Sequence, residues 1–123
     1  MDHIGKLLLR VGYSLLLMTH GFPKLKKLFS DDIRFPDPLS VGEENSLFLT
    51  VLAEFVFPLF IIVGYKTRIA SFFPAFAMLI AAFIVHFDDP FGKKELAILY
   101  LLGFVLVTLF GPGKYSIDHY KKN

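Results

Sequence analysis

A carboxylate in the middle of a long apolar run must have a partner. Glu54 stands inside Ser46–Tyr65, SLFLTVLAEFVFPLFIIVGY. At bilayer depth an acid costs about 2.5–3.5 kcal/mol on insertion scales, so it should face protein or a wet cavity. Arg10, in LLLRVGYSLLL, is an internal charge of opposite sign. Helical rise puts Arg10 ~9 Å and Glu54 ~15 Å from the same membrane boundary. An extended arginine spans that difference, and an Arg10–Glu54 pair between neighbouring helices is expected. Such a pair can fix packing or handle protons, and the residues alone leave both open. His20 and His86 close two other apolar runs at the opposite level. Imidazoles there can relay a proton, meet a quinone carbonyl or ligate a haem, haem being the least expected. For either His alone, a hydrogen bond to backbone or water is the commoner situation. His86-Phe87-Asp88-Asp89 with Glu95 matches no standard metal spacing, so no metal site is expected.

These residues suggest a site. Glu54, Arg10 and His20 are the candidate proton-handling groups. His86, Tyr13, Phe55, Phe83 and Phe87 are the candidate ligand contacts, in a pocket opening toward the outer half of the helices. Pro58 strengthens the case for Glu54. Proline has no N–H to give the carbonyl four residues back, which is that of Glu54, so a kink and a free carbonyl are expected beside the acid.

Four windows can carry these groups as helices: about 4–22, 46–65, 69–87 and 95–111. Each reaches about 25–30 Å, enough for a hydrocarbon core. The runs are continuously apolar rather than alternating, which argues against strands. Arg10 interrupts the first window and no small-x-small site follows it, so a retained helix rather than a cleaved signal is expected. Lys66-Thr67-Arg68 and DDPFGKK are short links, and short links make antiparallel neighbours. The predicted fold is all-α, a single membrane domain with an up-down-up-down four-helix bundle. The long connection 23–45 would open with lysines snorkelling at the surface and then form a lid or a docking element. Lys and Arg divide seven against six between the two ends, with both termini on the richer side. That places the termini in the cytoplasm.

Composition removes several classes of function. Hydrophobic residues make up 54% of the 123-residue chain, more than a soluble domain of this size needs. Cysteine is absent, which excludes disulfides, thiolate metal sites and iron–sulfur ligation within the chain. No phosphate-binding loop or nucleophile elbow occurs. The basic residues lie scattered at membrane edges, where anionic lipid rather than nucleic acid is the expected partner. Fifteen phenylalanines suit helix packing or a flat apolar ligand.

Several motifs occur together in one order: Arg10, His20-Gly21 followed by Lys24-Leu25, Ala53-Glu54, Gly64 with Thr67-Arg68, His86, Glu95, and Gly111-Pro112-Gly113-Lys114-Tyr115-Ser116-Ile117-Asp118. In this the chain resembles the DoxX family of small four-helix membrane proteins, related to the DoxD subunit of archaeal thiosulfate:quinone oxidoreductase. The resemblance implies a component of a quinone-linked membrane oxidoreductase system. The chain supplies no electron carrier of its own, which counts against a complete enzyme, and its expected protein partner is a soluble redox protein or a second copy in a homo-oligomer. The alternatives are an assembly or binding subunit and a small lipid or solute carrier. The expected location is a bacterial inner (plasma) membrane. Asp118 is expected to pair with Arg68 at the inner face.

Overall fold

The computed structural model describes residues 2–122, and their regular structure is helical throughout. Helix α1 runs Asp2–Leu28. Helix α2 runs Glu43–Val63 and α3 runs Thr67–Val85. Helix α4 runs Phe91–Phe110, and a short α5 runs Ile117–Lys122.

Helix α1 does not stop at the expected residue 22. It carries Pro23 inside it and continues through Lys24–Leu28. Lysine and leucine are good helix formers, and a packed helix tolerates one lost hydrogen bond. The segment expected to begin the long connection is therefore helical, and the connection itself is residues 29–42. Arg10, Ser14, Leu17, Gly21 and Lys24 recur at spacings of four and three, so they form one stripe along α1. The first four of them are buried.

The connection has its own organiser. Asp37 accepts the N–H groups of Val41 and Gly42 (2.9 and 2.8 Å) and the hydroxyl of Ser46 (2.7 Å). Phe35 N–H bonds Glu43 Oε1 at 3.0 Å. The Ser46 hydroxyl and these N–H bonds hold the Asp37 carboxyl below its ordinary range against the opposing effect of desolvation.

Two of the long helices widen locally. Leu52–Val56 of α2 and Ala81–Val85 of α3 are π-helical. The first sits directly before Pro58, where one turn already lacks a donor. Glu54 stands inside this first widened turn. Helix α2 ends at Gly64 (φ 74°), and Tyr65 N–H closes back on the Phe60 carbonyl at 2.9 Å. Glycine is the residue that takes this left-handed conformation without strain.

Leu17, Ile61, Ala70, Met78, Ala82, Tyr100, Phe104 and Val107 form a core to which all four long helices contribute. Tyr13 packs edge-on against Tyr100 and Phe104, with ring centroids 6.2 and 6.1 Å apart. Ser71 and Thr108 hydroxyls join α3 to α4 at 2.7 Å. The distribution of polarity is inverted relative to a water-soluble protein. Arg10, Ser14, Glu54 and Ser71 are buried, while Leu8, Leu15, Ile69, Phe72, Leu102 and Leu109 are each more than half exposed. Exposed apolar surface on every long helix needs an apolar surrounding. Helices α2 and α3 are long and apolar enough to cross a membrane, with mean hydropathies of 2.4 and 2.0 over their best windows. Helices α1 and α4 are of comparable length but carry Arg10 and the Lys93-Lys94-Glu95 cluster.

Candidate functional site

Arg10 and Glu54 do not pair, which corrects the expectation from their depths. Arg10 Nη1 donates to the carbonyls of Ile61 and Ile62 at 2.8 and 2.6 Å, and Nη2 donates to the Tyr115 carbonyl. A helix leaves its last carbonyls without partners, and its C-terminus attracts a cation. Arg10 therefore closes the end of α2 from a neighbouring helix. The same end is bound by the segment after α4. Asp118 Oδ1 and Oδ2 accept the N–H groups of Lys66 and Thr67 at 2.7 and 2.8 Å, and Asp118 N–H bonds the Gly64 carbonyl at 2.8 Å. Asp118 caps α3 rather than pairing with Arg68. Lys114 N–H bonds His3 Nδ1 at 3.0 Å, so both ends of the described chain meet here.

Glu54 pairs with Lys24. Lys24 Nζ lies 2.8 Å from Oε1 and 2.9 Å from Oε2. The Glu54 side chain is 3% exposed and that of Lys24 is 32% exposed. The partner comes from the helical continuation of α1 beyond Pro23. One turn earlier, Gly21 brings α1 hard against α2. A Cβ built there would sit 2.5 Å from the Glu54 carbonyl oxygen. Only a hydrogen fits.

The pair forms part of the wall of a cavity of about 650 Å³ between α2, α3 and the 29–42 connection. Phe57, Phe72, Phe73 and Phe76 wall it, and Phe35, Pro36, Pro38 and Leu39 come from the connection. Phe57 and Phe73 stack at 4.3 Å with their planes 10° apart. His86 also lines the cavity, and its Nδ1 lies 2.7 Å from Asp89 Oδ2. That bond is the main reason the Asp89 carboxyl is held below its usual range, with Lys93 and Lys94 adding to it. The cavity thus combines stacked aromatic walls, a buried carboxylate paired with an ammonium, and an imidazole with a fixed tautomer partner. This arrangement can orient a polar head and exchange protons with it.

A model of the DoxX family matches residues 5–87. The chain belongs to the DoxX family. The inner membrane protein YqjF of Escherichia coli (strain K12) is similar to this DoxX protein, with 30% identity over 122 residues, 96% of this chain and 92% of YqjF. No solved structure matches it. Family membership and the inverted polarity agree in making the chain a membrane protein.

Of the residues that the sequence singled out, this DoxX structure brings Glu54 and His86 to one cavity. Arg10 lies at the other end of the molecule. His20 is exposed, its ring edge-on to Tyr100 at 5.8 Å. Tyr13 belongs to the core between α1 and α4. Phe55 packs on Phe22 at 6.2 Å, and Phe83 and Phe87 are 51% and 69% exposed away from the cavity walls. The reason is helical phase. One residue turns a side chain by about 100°, so Phe57 lines the cavity where Phe55 cannot, and each π turn moves the face again. Lys24 stands among the ordered motifs, but the sequence does not announce its pairing with Glu54. Its spacing of three from Gly21 was a usable signal once α1 was extended through Pro23. Among the described residues, no three His or carboxylate groups come together as a metal set.

Proposed function

We propose that this DoxX protein is a four-helix, up-down-up-down membrane bundle with both termini in the cytoplasm, set in a bacterial inner membrane. Its cavity takes an amphiphile with a planar polar head, a quinone foremost. The observation that supports this is a single one: stacked phenylalanines converge on a bidentate Lys24–Glu54 pair inside about 650 Å³. That volume falls in the range of ~300–1,000 Å³ typical of small-molecule sites. A quinone needs apolar walls and a donor at a carbonyl. The ammonium of Lys24 has a third proton beyond the two aimed at Glu54, and His86 lies on the same wall. Glu54 and His86 would take up or give protons while a partner protein moves the electrons. Arg10 serves the architecture, since its amino groups are spent on carbonyls.

Calorimetric titration of the purified protein in lipid nanodiscs with short-chain ubiquinone and menaquinone analogues tests this. The wild type is expected to bind, and Glu54→Gln and Lys24→Met to bind at least about tenfold more weakly, each losing about 1.4 kcal/mol or more. If all three proteins bind no quinone and retain the same lipids, the quinone reading fails, leaving a role in assembly.

A further inference from the structure

The end of the molecule opposite the aromatic cavity holds a second cavity, of about 520 Å³. His3 and Lys6 reach it from α1, Lys66 and Arg68 from the turn and first residues of α3, and Asp118 and His119 from the C-terminal segment. Three permanent cations therefore surround one carboxylate. That carboxylate is already engaged, because both oxygens of Asp118 accept backbone N–H groups. Among the described residues, the ion pairs are Lys24–Glu54, Arg34–Asp32 and His86–Asp89, so Lys6, Lys66 and Arg68 have no carboxylate partner. The chain backs closely onto two of these cations. A Cβ at Gly111 would lie 2.9 Å from an Arg68 amino nitrogen, and one at Gly113 would lie 3.0 Å from Lys6 Cβ. Both glycines have φ near 80°, a conformation that side chains rarely adopt. The Gly-Pro-Gly segment thus forms a close-fitting backing for the cationic side chains. Apolar groups complete the rim: Ile69 and Phe110 line the cavity and are 65% and 54% exposed.

We infer that this cavity binds a phosphate group, and that the phosphate is the head of an anionic phospholipid. Arginine offers paired donors to phosphate oxygens, and lysines add charge without fixed geometry. A soluble phosphate would use the cations alone. The exposed Ile69 and Phe110 beside them fit an anion attached to acyl chains. Clustered basic residues at a membrane edge are worth about a fivefold change in lipid affinity per residue. Occupancy would tie α1, α3 and the C-terminal segment to one leaflet, independently of what enters the aromatic cavity.

Native mass spectrometry of the detergent-purified protein, titrated with phosphatidylglycerol and with phosphatidylcholine, tests the site. The wild type is expected to retain phosphatidylglycerol preferentially. Lys6→Gln with Arg68→Gln is expected to abolish that preference, while Lys93→Gln with Lys94→Gln at the opposite end preserves it. Arg68→Lys, which keeps the charge and loses the fork, should fall between. Circular dichroism checks that each variant remains helical. In the wild type, millimolar inorganic phosphate is expected to leave the lipid adducts in place. Complete displacement by phosphate would overturn the lipid as the source of the anion. Equal phosphatidylglycerol retention by the wild type and the Lys6/Arg68 variant overturns the site itself.

Discussion

Two buried charges in this chain are satisfied in different ways, and mutation should separate them. Glu54 is held by one ammonium. Removing that partner strands a carboxylate that is 3% exposed, whereas removing both leaves apolar surface. Breaking one side of a buried pair costs about 3–5 kcal/mol, and the partial exposure of Lys24 puts this pair nearer 1–3 kcal/mol. Lys24→Met should therefore lower thermal stability in detergent more than Lys24→Met with Glu54→Leu. Strictly additive losses would show that the pair is not a unit. Arg10 instead holds carbonyls on two separate segments. Arg10→Lys should rescue little, because one ammonium cannot span Ile61, Ile62 and Tyr115 as the fork does. Limited proteolysis is the measurement, with cleavage expected near Tyr115 in both Arg10→Leu and Arg10→Lys. Both charges were legible in the sequence. Their partners were not, because Arg10 bonds main-chain carbonyls, which no residue identity announces.

At the scale of elements, close approach and capping set the geometry. Gly21→Ala places a methyl group against the Glu54 carbonyl and must push α1 from α2. Overpacking of this kind costs about 1–3 kcal/mol. The variant should melt lower and bind quinone analogues more weakly, since Lys24 moves with α1. The cap at the start of α3 gives a pH dependence. Burial raises the Asp118 carboxyl, but N–H bonds from Thr67 and Lys66, with the charge of Arg10, outweigh it and leave it below its usual range. A depressed carboxylate contributes stability that is full above its unfolded value and is lost as pH falls through the folded one. Acidification from neutral pH should thus loosen the C-terminal segment through the acid range. Asp118→Asn should remove that acid-induced step while costing about 0.5–2 kcal/mol at neutral pH, as lost helix caps do. Hydrogen exchange of residues 64–67 and 114–120 checks both. Helix α1 continues past Pro23, where the sequence pattern ended it at 22, and α4 begins at Phe91 rather than at 95. Proline read as a stop because local rules penalise it; packing of Gly21 and Lys24 on α2 supplies the compensation.

For the whole molecule, the testable quantity is orientation. The chain has no cysteine, so single cysteines report without background. Lys66→Cys lies at the end where His3 meets Lys114, and Asp89→Cys lies in the turn before α4. A membrane-impermeant maleimide applied to intact cells should label Asp89→Cys and reach Lys66→Cys only after permeabilisation. Labelling of both from one side would reject the proposed four-span topology. Hydropathy and helix propensity are local and additive, so the sequence by itself determined the all-helical class, the apolar exterior and the presence of charges that must be buried. It also singled out Glu54 and His86, which line one cavity. The tertiary structure alone decided which groups meet. Helix azimuth depends on small residues that permit contact, and two π turns shift the phase of α2 and α3 after the sequence period has been counted. Hence the aromatic wall is Phe57, Phe72, Phe73 and Phe76 rather than the phenylalanines nearest the histidines in sequence, and the partner of Glu54 is a lysine that lies beyond a proline.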